Sequence, residues 1–142
     1  MQKTNIAVRY FSKSGNTRKL ADEIANTVGC KAEQIPAPID GKADILFLGA
    51  SVYWGGICSE VKEYIQTLDK NKIGKVVVFT TSAMAERAFP QIQKKLQSRG
   101  IQVESRNFYC RGEFTALHKG RPNRKDLDDA RQFATKIIAE LH

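Results

Sequence analysis

Hydrophobic residues recur along this chain with two alternating periods. Short apolar runs at 6–8, 45–48 and 76–78 are each followed by a segment whose apolar residues are spaced three or four apart. A continuous apolar run is typical of a strand covered on both faces, whereas the longer spacing predicts an amphipathic helix. Strands that alternate with helices predict an α/β domain, with a parallel sheet and helices on both of its faces.

This pattern divides the chain into five strands and four helices. The predicted strands are a run beginning at Ile6, then Cys30–Ile35, Ala43–Ala50, Lys75–Phe79 and Ile101–Tyr109. The predicted helices are Thr17–Val28, one capped by Ser59, one with Pro90 in its first turn that stops at Gly100, and one that starts at Asp126. Only a handful of residues, including two prolines, separate the second strand from the third, so the usual crossover helix is missing or reduced to a turn.

The composition fits one ordinary globular domain. The chain has 142 residues, of which 42% are hydrophobic, so residues 1–142 are expected to form a single domain with its own core. No apolar run approaches the roughly 20 residues of a membrane span, and the first strand begins too early for a signal peptide. Three cysteines without metal-ligand spacing indicate free thiols, and we expect a cytoplasmic protein that is a monomer or a weak dimer.

A hydroxyl-rich turn joins the first strand to the first helix. Its residues are Ser12, Lys13, Ser14, Gly15, Asn16 and Thr17. The start of a helix favours an anion, because its first N–H groups have no partner within the helix and its dipole is positive there. The hydroxyl and amide side chains add donors, and Gly15 allows a positive φ. The turn is predicted to hold one phosphate group, although Ser14 and Thr17 would also serve as plain capping residues.

The segment Phe11–Thr17 resembles the phosphate loop of flavodoxins, which holds the terminal phosphate of FMN and ends in Gly-Asn-Thr. The resemblance extends over essentially the whole chain. It implies FMN as the cofactor and a flavodoxin-like three-layer sandwich, with a five-stranded parallel sheet in the order 2-1-3-4-5. Ligands of such sheets bind at the carboxyl ends of the strands where the strand order reverses, here between strands one and three.

A second loop, Gly49–Gly56, follows the third strand and carries the only tryptophan. Its candidate ligand residues are Ser51, Val52, Tyr53, Trp54, Gly55 and Gly56. Aromatic residues between glycines suit a flat ring system. The resemblance implies that this loop covers one face of the flavin ring and that the Trp54–Gly55 carbonyl turns toward flavin N5. Tyr53 or Trp54 would alternatively pack as core at the strand end.

Two further loops complete the expected site. The loop after the fourth strand, with Thr80, Thr81, Ser82 and Ala83, resembles the flavodoxin loop whose backbone contacts the polar edge of the flavin. The loop after the fifth strand contributes Cys110, Arg111, Gly112 and Phe114. Flavodoxins commonly place an aromatic residue after the fourth strand, and this chain has none there, so Met84 or the last loop would substitute. Arg111 and Phe114 would equally serve to cover the sheet end.

The basic residues are concentrated in one segment. The formal net charge is +8, and residues 87–125 contain ten Lys and Arg against two acids, so the remainder of the chain is balanced. Flavodoxins that act as free electron carriers are usually strongly acidic. We therefore expect an acidic redox partner protein or a small anionic electron acceptor, and a less negative potential for full reduction of the flavin. The expected contributors are Arg111, Lys119, Arg121 and Arg124.

The favoured function is an FMN-binding electron-transfer protein. The alternative is a flavin-dependent oxidoreductase acting on a quinone or porphyrinogen-type substrate, because the long loop 111–123 would cover a substrate. Nucleic-acid binding is not expected, since the basic segment lacks interleaved aromatic residues and any known motif. A phosphoacceptor receiver is excluded, because the ends of strands one and three carry no acidic residue.

Trp54 provides a direct test of ring stacking. Because it is the only tryptophan, its fluorescence should be quenched in the flavin-bound protein and recover when the flavin is removed. Trp54→Ala should weaken FMN binding and change the separation of the two one-electron potentials. Fluorescence and potentials that stay unchanged would place Trp54 in the core.

Overall fold

The computed structural model describes residues 4–12, 15–53, 56–82, 88–111 and 122–140. The strands are β1 (Ile6–Phe11), β2 (Ala32–Gln34), β3 (Ala43–Tyr53), β4 (Gly56–Ile57), β5 (Ile73–Ser82) and β6 (Phe108–Arg111). The helices are α1 (Asn16–Val28), α2 (Ser59–Thr67), α3 (Ala88–Ser98) and α4 (Arg124–Ala139).

Five of the strands form a parallel sheet in the order β2-β1-β3-β5-β6. The two-residue β4 adds an antiparallel pairing to the end of β3. Counted without β4, this is the order 2-1-3-4-5, so the predicted fold class is confirmed. The order reverses between β1 and β3, as expected.

Each face of the sheet is covered by a pair of helices. Alternate residues of β3 and β5 point to opposite faces. One core, under α2 and α3, contains Leu46, Leu48, Val76, Val78, Val61, Ile65, Ile92 and Leu96. The other, under α1 and α4, contains Ile45, Phe47, Val77, Phe79, Leu20, Ile24, Ala130 and Ile137. Among the described residues, no helix combines the length and apolarity required to span a membrane.

The predicted helix starts need two corrections. Ser59 is not the cap of α2: Cys58 occupies the N-cap position, and the Ser59 hydroxyl donates to Glu60 Oε1 at 3.2 Å. Helix α4 starts at Arg124 rather than at Asp126. Asn123 caps it, because its side chain accepts from the Asp126 N–H while the Asp126 carboxylate accepts from the Asn123 N–H.

A buried arginine takes the place of the missing crossover helix. The structure describes every residue between β2 and β3 and has no helix there, as predicted. Arg9 of β1 donates to the carbonyls of Ala37 and Pro38 at 3.2 and 2.8 Å and pairs with Glu33 at 3.0 Å. The Tyr64 hydroxyl also donates to the Ala37 carbonyl at 3.0 Å. These bonds fix an irregular connection whose backbone groups would otherwise be unsatisfied.

The fifth predicted strand is shorter than its sequence pattern suggested. Only Phe108–Arg111 pairs continuously with β5, while Val103 forms a single bridge to Val76. The interruption coincides with Glu104, a buried carboxylate that binds Lys75 at 3.1 Å and Arg106 at 3.2 Å. Glu104 also accepts the Arg106 backbone N–H, which takes that group out of the strand ladder.

Glu104 should make folding stability depend on pH. Hydrogen bonding to Arg106 lowers the pKa of Glu104 to about 2. Because the folded-state pKa lies below the unfolded value, the stabilisation is complete above about pH 5 and is lost as the pH falls toward 2. Glu104→Gln should lower the free energy of unfolding at pH 7 by about 1–3 kcal/mol and flatten this acid dependence, as measured by urea unfolding.

Glu140→Gln is the matched control, because Glu140 pairs with the same Arg106 but is exposed. An exposed ion pair contributes at most about 1 kcal/mol. Equal effects of the two substitutions, or a Glu104→Gln variant with unchanged acid sensitivity, would contradict this account.

Candidate functional site

The register of the parallel strands brings four strand ends to one edge of the sheet. Phe11, Ala50, Thr80 and Tyr109 lie side by side on β1, β3, β5 and β6. The segments that follow these strands therefore all leave from the same edge. They are the four segments in which the sequence placed its candidate ligand residues.

The turn between β1 and α1 is built on a left-handed glycine. Gly15 has φ 91° and ψ −3° and occupies the N-cap position of α1. Its N–H donates to Ser12 Oγ at 2.9 Å, which closes the turn. A Cβ atom at Gly15 would meet nothing within 4 Å, so the requirement for glycine is conformational rather than steric. The predicted positive φ is confirmed.

The start of α1 has the electrostatic character of an anion site. Its N-cap residue has no side chain, and its first turn contains Arg18 and no acidic residue. Helix α4 differs, because the side chains of Asn123 and Asp126 satisfy its first turn internally. The helix dipole at Gly15–Asn16 is therefore not compensated by a neighbouring carboxylate of the first turn.

Three hydroxyl side chains meet beneath this turn, and the sequence analysis did not predict their contact. Thr17 Oγ1 lies 2.6 Å from Ser51 Oγ and 2.8 Å from Thr81 Oγ1. We call these three residues the hydroxyl cluster. They are 0%, 3% and 2% exposed, and Ser51 and Thr81 are register partners on β3 and β5. The signal that could have predicted this contact is the presence of hydroxyl residues near the carboxyl ends of both central strands, β3 and β5.

The predicted loop 49–56 is in large part a strand. β3 continues to Tyr53 and turns back, so that Val52 pairs with Ile57 and Tyr53 with Gly56. Gly49 lies inside the strand, where an added Cβ would come within 2.3 Å of the Phe79 ring. Its role is therefore close packing rather than loop flexibility.

The remaining candidate residues divide into three groups. Thr80 is buried on β5, Cys110 is buried on β6, and Asn16 is buried at the start of α1. Ser82 and Arg111 are backbone register partners at the same edge. Lys13, Ser14, Trp54, Gly55, Ala83, Gly112 and Phe114 lie outside the described residues. The ligand roles of all three groups stay predictions.

Two further observations concern the Cys58 thiol and possible metal ligands. Burial raises the pKa of the Cys58 thiol, which keeps it protonated at neutral pH. Within the described parts of the chain, no group of three His, Cys, Asp or Glu residues is arranged to hold a metal ion.

Comparison with known sequences identifies the same architecture. Residues 7–116 match the family model described as Flavodoxin domain. A protein of Methanocaldococcus jannaschii, named only as uncharacterized, is 25% identical over 138 residues, which cover 87% of this chain and 90% of the relative.

Solved structures of low sequence identity share the fold. A flavodoxin from the domain Archaea has a TM-score of 0.72 at 17% identity, covering 96% of this chain and 98% of that one. Oxidised flavodoxin 2 from Bacillus cereus has a TM-score of 0.72 at 19% identity, covering 96% and 99%. A flavoprotein in complex with FMN from Lactobacillus acidophilus has a TM-score of 0.63 at 18% identity, covering 77% and 93%.

Proposed function

The chain belongs to the flavodoxin domain family, and we propose that it binds FMN at the carboxyl edge of its sheet and transfers electrons through it. The observation that carries the proposal is the left-handed Gly15 turn at the start of α1. This turn lies beside the reversal of strand order between β1 and β3, where ligands of doubly wound sheets bind.

The phosphate of FMN is assigned to the turn between β1 and α1. The residues present fit a phosphate group, because a helix N-terminus without a carboxylate faces the site and hydroxyl and amide side chains flank it. The N-cap glycine lets the backbone approach a ligand closely, since it has no side chain in the way.

The flavin ring is assigned to the neighbouring strand ends. The β3–β4 hairpin and the segment after β5 leave the same edge as the phosphate turn, with Ser51 beside Thr81 in register. Strand pairing keeps the backbone regular as far as Tyr53 on β3 and Ser82 on β5. These two strand ends therefore offer a rigid surface against which the flavin ring can lie. When bound, FMN supplies the one- and two-electron chemistry, while the chain binds, orients and shields it.

The electron carrier is the favoured form of this function. The alternative, an oxidoreductase with a quinone or porphyrinogen-type substrate, requires steady turnover of that substrate by the purified protein. Turnover assays with NAD(P)H, a quinone and a porphyrinogen therefore distinguish the two forms. Absence of turnover together with reversible flavin reduction is expected.

Gly15 should determine the preference for FMN over riboflavin. Alanine at a left-handed position costs about 1–2 kcal/mol, so Gly15→Ala should reshape the turn and weaken FMN binding by roughly tenfold. Riboflavin, which lacks the phosphate, should lose much less affinity. The FMN affinity of Gly15→Asn should lie between those of the wild type and Gly15→Ala, because asparagine tolerates this conformation. Affinities are measured by flavin fluorescence titration, after chromatography has identified the flavin that the purified protein carries.

Gly29→Ala is the control for this comparison. Gly29 has φ 82° at the opposite end of the same helix, again with nothing within 4 Å of an added Cβ. The Gly29→Ala substitution should lower the free energy of unfolding without changing the affinity for FMN or for riboflavin. If Gly15→Ala weakens both flavins equally, the phosphate does not bind at this turn.

The basic residues at the start of α4 point to an acidic partner. Arg124 and Lys125 are exposed in its first turn, and the Arg131–Glu23 ion pair at 3.6 Å joins α4 to α1. Both helices return from the carboxyl edge of the sheet, which places their first turns on the side assigned to the flavin. A positive surface there attracts a negatively charged electron donor or acceptor.

Charge reversal tests this surface. Arg124→Glu combined with Lys125→Glu should make the potential for full reduction of the flavin more negative and slow electron transfer to acidic acceptors. The effect should be larger at low salt, because exposed charges are screened over about 8–10 Å at physiological ionic strength. Redox titrations at two salt concentrations provide the measurement.

A control with the same change of charge is available at the opposite edge. Lys31 and Lys42 are exposed and precede β2 and β3. Reversal of both should leave the potential and the rates unchanged. An equal response of the two double variants would leave the α4 surface without a redox role.

A further inference from the structure

A cavity of about 550 Å³ lies where the crossover helix is missing. One wall is the irregular connection after β2, with Pro36, Pro38 and Ile39, and the other wall is helix α2. We call this space the α2 cavity. Its volume lies within the range of roughly 300–1,000 Å³ that is usual for small-molecule sites. None of the candidate flavin-site residues lines it, so it is separate from the proposed FMN site.

Hydrogen bonds fix the two walls of the α2 cavity relative to each other. The Tyr64 hydroxyl of α2 donates to the Ala37 carbonyl of the connection at 3.0 Å. Buried Arg9 donates to the carbonyls of Ala37 and Pro38, at 3.2 and 2.8 Å. The connection is therefore held in place without a ligand, which lowers the entropic cost of binding one.

The inner part of the α2 cavity is apolar. Four buried residues line it, namely Ile35, Tyr64, Leu68 and Ile73. They come from the end of β2, from α2 and from the start of β5, so the cavity extends along α2. An apolar ring is removed from water when it enters such a space, and the Tyr64 ring offers it an aromatic neighbour.

Carboxylates line the outer part of the α2 cavity. Glu60 and Glu63 are one turn apart on the same face of α2, and both are exposed. Beyond the end of α2, Asp69 is accompanied by Lys72, and these two charges offset each other. The charged residues that line the cavity are therefore negative in sum, in a chain whose formal net charge is +8.

We propose that the α2 cavity binds a small molecule with an apolar body and a primary amine, whose ammonium group is held by Glu60 and Glu63. An ammonium group has three N–H donors, so one ligand can bond to both carboxylates. Its apolar body then extends toward Leu68 and Ile73. An acid of the same shape is repelled by the two carboxylates. This inference goes beyond the proposed function and does not depend on a bound flavin.

The test compares three probes that share one naphthalene ring and differ in charge: naphthylmethylamine, naphthalenemethanol and naphthoate. Their affinities are measured by calorimetric titration at neutral pH, with and without excess FMN. Amide NMR shifts identify the residues that respond. The amine should bind roughly fivefold more tightly than the alcohol, the size expected for exposed charge pairs, and naphthoate more weakly than both. Shifts should centre on residues 35–39 and on α2, and FMN should change none of the affinities.

Two variants locate the amine and the ring. Glu60→Gln combined with Glu63→Gln keeps both side-chain shapes and should make the affinities for the amine and the alcohol equal. Thr67→Trp changes an exposed residue that lines the cavity and should abolish measurable binding of all three probes by filling it. Asp22→Asn combined with Asp128→Asn is the matched control, because it removes two carboxylates of α1 and α4 that do not line the cavity. It should leave every affinity unchanged.

Several results would overturn the inference. If no probe binds, the cavity takes no ligand of this class. If naphthoate binds as tightly as the amine, or if the glutamine variant keeps the preference for the amine, Glu60 and Glu63 do not recognise an ammonium group. Competition by FMN, or shifts confined to the carboxyl edge, would place the probes in the proposed flavin site instead. The glutamine variant is decisive even if the tryptophan variant fails to fold. The proposed FMN function is tested separately, by the flavin titrations, and stands or fails independently of these results.

Discussion

The parallel pairing of β3 with β5 is the constraint on which the rest of the structure depends. It runs from Ala43 opposite Ile73 to Val52 opposite Ser82, through the centre of the sheet. Side chains from this pair supply both cores, so one ladder positions the helices on each face. The same ladder brings Ser51 and Thr81 to one level, where a single hydroxyl from α1 can reach both.

The connection between β2 and β3 contains no crossover helix and is held by polar contacts instead. A helix would normally cover β1 and β2 with apolar side chains. Here the connection is irregular, and the buried guanidinium of Arg9 satisfies its carbonyls while Glu33 balances the charge. A buried cation is acceptable only with such partners, because desolvation would otherwise be prohibitive.

Charged residues of the described chain lie in two different environments, a partly buried ion network and an exposed surface. Near the start of β5, an ion network of Lys75, Glu104 and Arg106 interrupts the edge strand. At the start of α4, exposed Arg124 and Lys125 lie outside that network. Arg106 is therefore used within the fold, whereas Arg124 is exposed, and Lys125 is exposed and pairs with Asp129 at 3.3 Å.

The sequence alone determined the layer architecture and the location of the hydroxyl-rich turn between β1 and α1. Apolar runs, helical spacing and the single glycine in the Ser12–Thr17 turn are local signals, and each acts within a few residues. Local signals also predicted the lost crossover helix. They failed at Ser59, because the preceding Cys58 occupies the N-cap position of α2, and at Asp126, which lies at the third position of α4 and shares a capping box with the N-cap residue Asn123. Tertiary structure alone decided the partners of Thr17, because Ser51 and Thr81 are 34 and 64 residues away and meet it only after β3 and β5 have paired. In this structure the buried Thr17 hydroxyl bonds to the hydroxyls that the fold places beside it, as buried polar groups generally do.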